Sequence, residues 1–254
     1  MVSVVTINRP DIRNAISDAE VLEPLLEILD AVDVDEGSRA LVLTGAGTSF
    51  CSGGNIKTIQ SDLAADIGVA GTQRFYRNGI QRLAERFEMM RTPSVAAVNG
   101  PALGLGCDLA CMCDVRIGSP ESSFAMTFVK LGLIPGDGGV ALLPRIVGFA
   151  RATEMILTGA AINAEQALAC GLVSRIVPAG DLLAEAISIA NKIAENPPHA
   201  TSLARRLLRR ESGRTLTDTL ELSAAFQAIA HSTDDHREAI SALRERRSPT
   251  YSGR

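Results

Sequence analysis

The chain has 254 residues, 46% hydrophobic and 21% charged, enough to bury a full core as one large domain or a domain with an appendage. A formal net charge of −4 gives no global attraction to nucleic acid or an anionic membrane, and no window approaches the apolar run of a membrane span. The five cysteines are odd in number, and the opening MVSVVTINRP carries neither a signal-peptide nor a transit-peptide pattern, so reduced thiols in a cytoplasmic protein are expected.

Val4 to Ile7 reads as a short strand, closed by the turn signal Asn8-Arg9-Pro10-Asp11. Ser17 and Glu20 have capping-box spacing and open a helix toward Asp33, in which Pro24 either makes a kink or marks a later start. RALVLT (39–44) has the continuous apolar character of a buried strand and runs into the glycine-rich GAGTSFCSGGN. Residues 74–90 have helical spacing. PSVAAV (93–98) is a second buried strand, leading into NGPALGLGCDLACM. Short strands are expected at 114–117, 123–126 and 173–177, followed by helices at 181–195, 200–210, 216–230 and 234–247 with a breaker at Asn196-Pro197-Pro198. Strands alternating with helices, then helices alone, predict an α/β core over 1–195 and a helical region over 196–254.

Two segments share one design: LVLTGAGTSFCSGGNIK (41–57) and VAAVNGPALGLGCDLA (95–110) each run from a buried strand through glycines toward a helix. Such turns present bare backbone N–H groups, and a helix start adds positive partial charge, so two facing turns make an anion site. Neither is a P-loop, and the second lacks the dinucleotide-binding spacing. Cys107, Cys111 and Cys113 match no zinc pattern and have no nearby His, so they are expected as small buried hydrophobes and no metal is expected. His199, His231 and His236 lie outside these segments, and the basic helix face of Arg205, Arg206, Arg209 and Arg210 reads as solvated or as a salt-bridged contact between subunits.

Taken together, INRPDIRNAIS (7–17), SFCSGGNIK (49–57), PSVAAVNGPALGLGCDLA (93–110), KLGLIPGDGG (130–139), LPRIVG (143–148), GLVSRIVP (171–178) and DHREAISALRERRSP (235–249) resemble the enoyl-CoA hydratase/isomerase (crotonase) family over nearly the whole chain. The resemblance implies a spiral of ββα turns whose C-terminal helices pack into a homo-trimer or hexamer. It implies an acyl-CoA substrate, with coenzyme A arriving as part of the thioester and no further cofactor. By the same resemblance the N–H groups of Gly54 and Leu105 hold the thioester oxygen, and Asp108 is the first proton-handling acid. Arg13, Ser52, Asn55, Ile56 and Lys57 match positions around the bound substrate and its CoA moiety, and Arg246 and Arg247 match positions that reach a neighbour's CoA or are plain surface charges.

An acid in the apolar stretch LGLGCDLACM is costly to bury without purpose, and its pKa should rise. The family's second glutamate falls on Phe128, which transfers no proton. The isomerase-like position falls on Gly136, beside Asp137, which either enters the site or accepts N–H bonds within its own turn. The expectation is an enzyme that hydrates or isomerises an unsaturated acyl-CoA in fatty-acid or related catabolism. The alternatives are an inert acyl-CoA-binding protein on the same scaffold, or another crotonase chemistry: thioester hydrolysis, C–C lysis or dehalogenation.

Overall fold

The computed structural model describes residues 1–55, 58, 60, 67–211 and 213–254. Its strands are β1 (Val2–Ile7), β2 (Ala40–Gly45), β3 (Ser94–Val98), β4 (Pro101–Leu103), β5 (Val115–Gly118), β6 (Ser123–Ala125) and β7 (Ile162–Asn163). A four-stranded parallel sheet runs in the order β1-β2-β3-β5, and a smaller sheet in the order β4-β6-β7. β4 and β6 are parallel, whereas β6 and β7 are antiparallel.

β2 and β3 are buried on both faces, which is why they read as unbroken apolar runs. Leu41, Leu43, Ala96 and Val98 point into the main core, with Phe50, Phe87, Leu109 and Phe124. Their neighbours Ala40, Val42, Val95 and Ala97 point the other way, onto Leu182, Ala186 and Ala190 of one covering helix, Leu182–Ala194. Side-chain alternation along each strand thus feeds two separate layers.

The first helix, α1 (Ala19–Val34), runs through Pro24 unbroken. The expected capping box is absent: Asp18 is the cap residue, and Ser17 Oγ instead accepts the Asn55 N–H at 2.9 Å. The helical stretch expected over 74–90 is two helices, α2 (Gly68–Asn78) and α3 (Gln81–Met89), parted at Gly79 and Ile80. α4 (Leu105–Met112) follows β4 directly, and α5 (Gly139–Val147) and α6 (Phe149–Thr158) follow the IPGDGG turn. Residues 173–177 do not form the expected strand; there Ile176 makes an isolated bridge to Gly118.

After α7 (Ala164–Ala169) and the covering helix α8 come α9 (Pro198–Arg210), α10 (Leu216–Ser232) and α11 (Asp234–Glu245). Two of the four arginines on the basic face of α9 correct the sequence reading, whereas Arg210 is exposed as expected. Arg205 donates to Asp114 Oδ2 at 2.7 Å and to the carbonyls of Phe87 and Met90; Arg209 donates to Asp114 Oδ1 at 2.7 Å and to the Met112 carbonyl. Burial pushes the Asp114 carboxyl up, but the two guanidiniums overrule it and hold it below its ordinary range. These arginines lock the helical tail onto the core of their own chain. Among the described residues no helix is long and apolar enough to cross a membrane.

Candidate active site

The glycine-rich loop after β2 is shaped by two asparagines. Asn14 is fully buried in a left-handed conformation (φ 58°), which Asn tolerates better than most residues. Its amide nitrogen donates to the carbonyls of Ala46 and Ser49, both at 2.8 Å, and its oxygen accepts the Arg9 N–H at 2.9 Å. Asn99 donates to the Gly47 carbonyl at 3.0 Å from the end of β3. Sequence reasoning did not single out either residue; the one signal was a polar side chain set inside an otherwise matching motif.

The loop then meets the start of α4, backbone against backbone. Leu103 N–H donates to the Cys51 carbonyl at 3.0 Å, and Cys51 bridges Ala102 in parallel. A Cβ on Gly53 would stand 2.5 Å from the Leu103 carbonyl oxygen and 3.1 Å from the Leu105 nitrogen. One on Gly106 would stand 2.0 Å from the Cys51 carbonyl oxygen. Glycine is therefore required at both positions by contact, and Gly53 also by its φ of 91°. The Leu105 amide lies against the residue preceding Gly54. The Gly104 carbonyl accepts the N–H groups of Cys107 and Asp108, while among the described residues nothing accepts those of Gly54, Leu105 and Gly106. Orphan amides at a helix start carry positive partial charge, which favours an anion beside them.

Asp108 lies one turn into α4 and is fully buried, and neither carboxyl oxygen has a hydrogen-bond partner among the described residues. Its Oδ1 packs so closely on Gly139 that a Cβ there would stand 2.0 Å away. Burial above all, then the charges of Cys111 and Asp137, raise its pKa well above the ordinary carboxylate range. Asp137 sits in the turn just before α5, 4% exposed, with Oδ1 unpartnered among the described residues. Burial pushes its pKa up to about 6. Gly138, at φ 115°, turns the chain so that Asp137 and the start of α5 both come against Asp108.

Phe128 lies in the 3-10 turn Thr127–Leu131, and its ring tip would be 3.9 Å from a Cβ on Gly104. An aromatic edge thus stands beside the start of α4. Tyr76 of α2 joins the group: burial and then the Asp137 charge raise its phenol, and Gln81 donates to the Gly136 carbonyl at 2.8 Å. Neither was named from sequence, where nothing marks one tyrosine of a helix as facing a turn some 60 residues on.

The structure thus gathers Gly54, Leu105, Asp108, Phe128 and Asp137. The remaining candidates differ. Arg13 has an exposed side chain, and its carbonyl accepts the Ser52 N–H at 3.0 Å. Ser52 Oγ donates to the Ile12 carbonyl at 3.3 Å. Asn55 donates to Asp18 Oδ2 at 2.8 Å. Ile56 and Lys57 lie outside the described residues. Arg247 is paired with Glu238 and Glu245 of its own chain. His231 and His236 meet edge to face in the tail, ring centroids 4.5 Å apart. Cys107, Cys111 and Cys113 are buried free thiols.

The family model described as enoyl-CoA hydratase/isomerase matches residues 1–254. The chain is similar to a probable enoyl-CoA hydratase of Mycobacterium bovis, 36% identical over 253 residues that cover 100% of this chain and 95% of the relative. It is equally similar, at 36% over 256 residues, to the 1,2-epoxyphenylacetyl-CoA isomerase of Escherichia coli, covering 100% of this chain and 95% of that one. Among solved structures, the enoyl-CoA hydratase of Bacillus anthracis superposes with a TM-score of 0.92 at 34% identity, covering 100% of this chain and 96% of that one.

Proposed function

From the premise that this chain belongs to the enoyl-CoA hydratase/isomerase family, we propose that it adds water across, or moves, the double bond of an enoyl-CoA. The observation that carries this is a pair of buried carboxyls, Asp108 with both oxygens and Asp137 with Oδ1 lacking a hydrogen-bond partner among the described residues, beside a helix start whose first amides are free. The amides of Gly54 and Leu105 hold the thioester oxygen as negative charge develops on it. Each such donor, preorganised, lowers the barrier by roughly 3–4 kcal/mol.

Two carboxyls in one apolar site cannot both ionise readily, so their acidities separate. Asp108, more deeply buried, keeps its proton and is the acid; Asp137, with a pKa of about 6, is ionised at neutral pH and is the base. In hydration, Asp137 takes a proton from water as the oxygen bonds to C3, and the electrons of the double bond move to the thioester oxygen. Asp108 then gives its proton to C2 as the enolate collapses, and Asp137 returns its proton to reset the pair. Isomerisation uses the same groups: Asp137 removes a C2 proton from a 3-enoyl thioester and Asp108 protonates C4. Phe128 favours this second reading, because by the family resemblance an apolar ring takes the position of the hydratases' second water-holding carboxylate. The exposed apolar side chains Phe149, Leu157, Leu208, Leu220 and Leu243 support assembly into a homo-trimer or hexamer.

The test is turnover of 2-enoyl-CoA and 3-enoyl-CoA with products identified by mass spectrometry in ¹⁸O-labelled water. Label at C3 identifies hydration, and an unlabelled shifted double bond identifies isomerisation. Asp108→Asn and Asp137→Asn each lower kcat by about 10²–10⁴-fold while acyl-CoA still binds. The wild-type rate climbs with pH through about 6 as Asp137 ionises, and falls at higher pH as Asp108 loses its proton. No conversion of either substrate, with no binding of CoA thioesters, overturns the proposal.

A further inference from the structure

One cavity opens beside the carboxyl pair, between α2 and the loop before Asp137. It is an open groove of about 460 Å³, within the range of small-molecule sites. Gly136 closes the end nearest Asp137, and Tyr76 forms part of its wall; the Asp137 charge already acts on that phenol. Leu133 and Ile134 provide an apolar side. Gln73, Tyr76, Arg77 and Gln81 line it as well, bringing polar groups to a mainly apolar surface. Among the described residues Arg77 is the single charged lining group, and it forms no ion pair. Burial is the one cause of the Asp137 shift, so the guanidinium is not that carboxylate's partner.

We infer that this cavity takes the distal part of the acyl chain and that Arg77 selects acyl groups ending in a carboxylate. The inference rests on the acyl-CoA reading given above. A chain whose reacting carbons lie at Asp137 extends past Gly136, with its methylenes along Leu133 and Ile134. A methyl end gains nothing from the guanidinium there. A carboxylate end meets a planar fork of donors that binds it through two parallel hydrogen bonds, which a lysine's point charge does not match. Gln73 and Gln81 add neutral hydrogen-bonding capacity at the rim.

Calorimetric titration of the full chain with hexanoyl-CoA and adipoyl-CoA tests this. The two saturated chains are equal in length, ended by methyl or by carboxylate, and neither is turned over. Wild type is expected to bind adipoyl-CoA about tenfold more tightly, the gain of one charged hydrogen-bonded pair at a partly open site. Arg77→Gln removes the preference and leaves hexanoyl-CoA unchanged, while Arg77→Lys keeps part of it. Equal affinities in wild type overturn this inference and leave the acyl-CoA reading intact. Equal losses for both ligands in Arg77→Gln also overturn it, because Arg77 then contacts the CoA moiety. If neither thioester binds, both readings fall together.

Discussion

Asp137 shows how a single residue trades stability for reactivity. Its folded pKa of about 6 lies above the ordinary 3.8, so between those values the native state holds more protons than the unfolded chain. Stability from this group is therefore complete below the ordinary value and is lost as pH rises through about 6. The shift corresponds to up to about 3 kcal/mol at pH 8. Asp137→Asn removes the titration. Relative to wild type, its melting temperature should be higher at pH 8 than the same comparison gives at pH 3.5, even as activity is lost. A difference between variant and wild type that stays constant across pH would show that Asp137 has an ordinary acidity. The sequence exposed half of this. A carboxyl inside LGLGCDLACM reads at once as expensive, whereas Asp137 in IPGDGG looks like any turn aspartate. Only the packing of Gly139 on Asp108 shows that its turn is pressed into the site.

The decisive element is α4, held by the loop it faces. Gly106 has the Cys51 carbonyl where a side chain would go, with rigid backbone on both sides. Gly106→Ala must push the helix away, costing about 1–3 kcal/mol as overpacking does. It should also displace the Leu105 amide enough to lower kcat at least tenfold. Gly180→Ala is the control: nothing lies within 4 Å of its added Cβ, and it should leave urea midpoint and rate unchanged. Equal behaviour of the two variants would mean that the close approach does not position α4. Elements of this kind were legible to different degrees. β2 and β3 announced themselves because burial on both faces fills them with apolar residues. β4 and β7, three and two residues long, are too short to carry any periodicity. Residues 74–90 kept helical spacing across Gly79, so the break between α2 and α3 was hidden in a pattern that continues through it.

For the whole molecule, α/β layers followed by a helical tail could be read from the order of elements, and the solved relatives share that fold. What holds the tail could not be read: Arg205 and Asp114 are 91 residues apart, and a basic helix face looks the same whether it meets water or a buried carboxylate. Light scattering should find three or six copies of the 26.8 kDa chain, because the exposed leucines of α9 to α11 need cover. A monomer at micromolar concentration would remove that assembly. The account as a whole depends on where a thioester oxygen binds. A crystal structure with a saturated acyl-CoA should place that oxygen about 2.7–3.1 Å from the nitrogens of Gly54 and Leu105, with the Asp108 and Asp137 carboxyls beside C2 and C3. A thioester oxygen elsewhere, or those two amides directed at different ligand atoms, would contradict it.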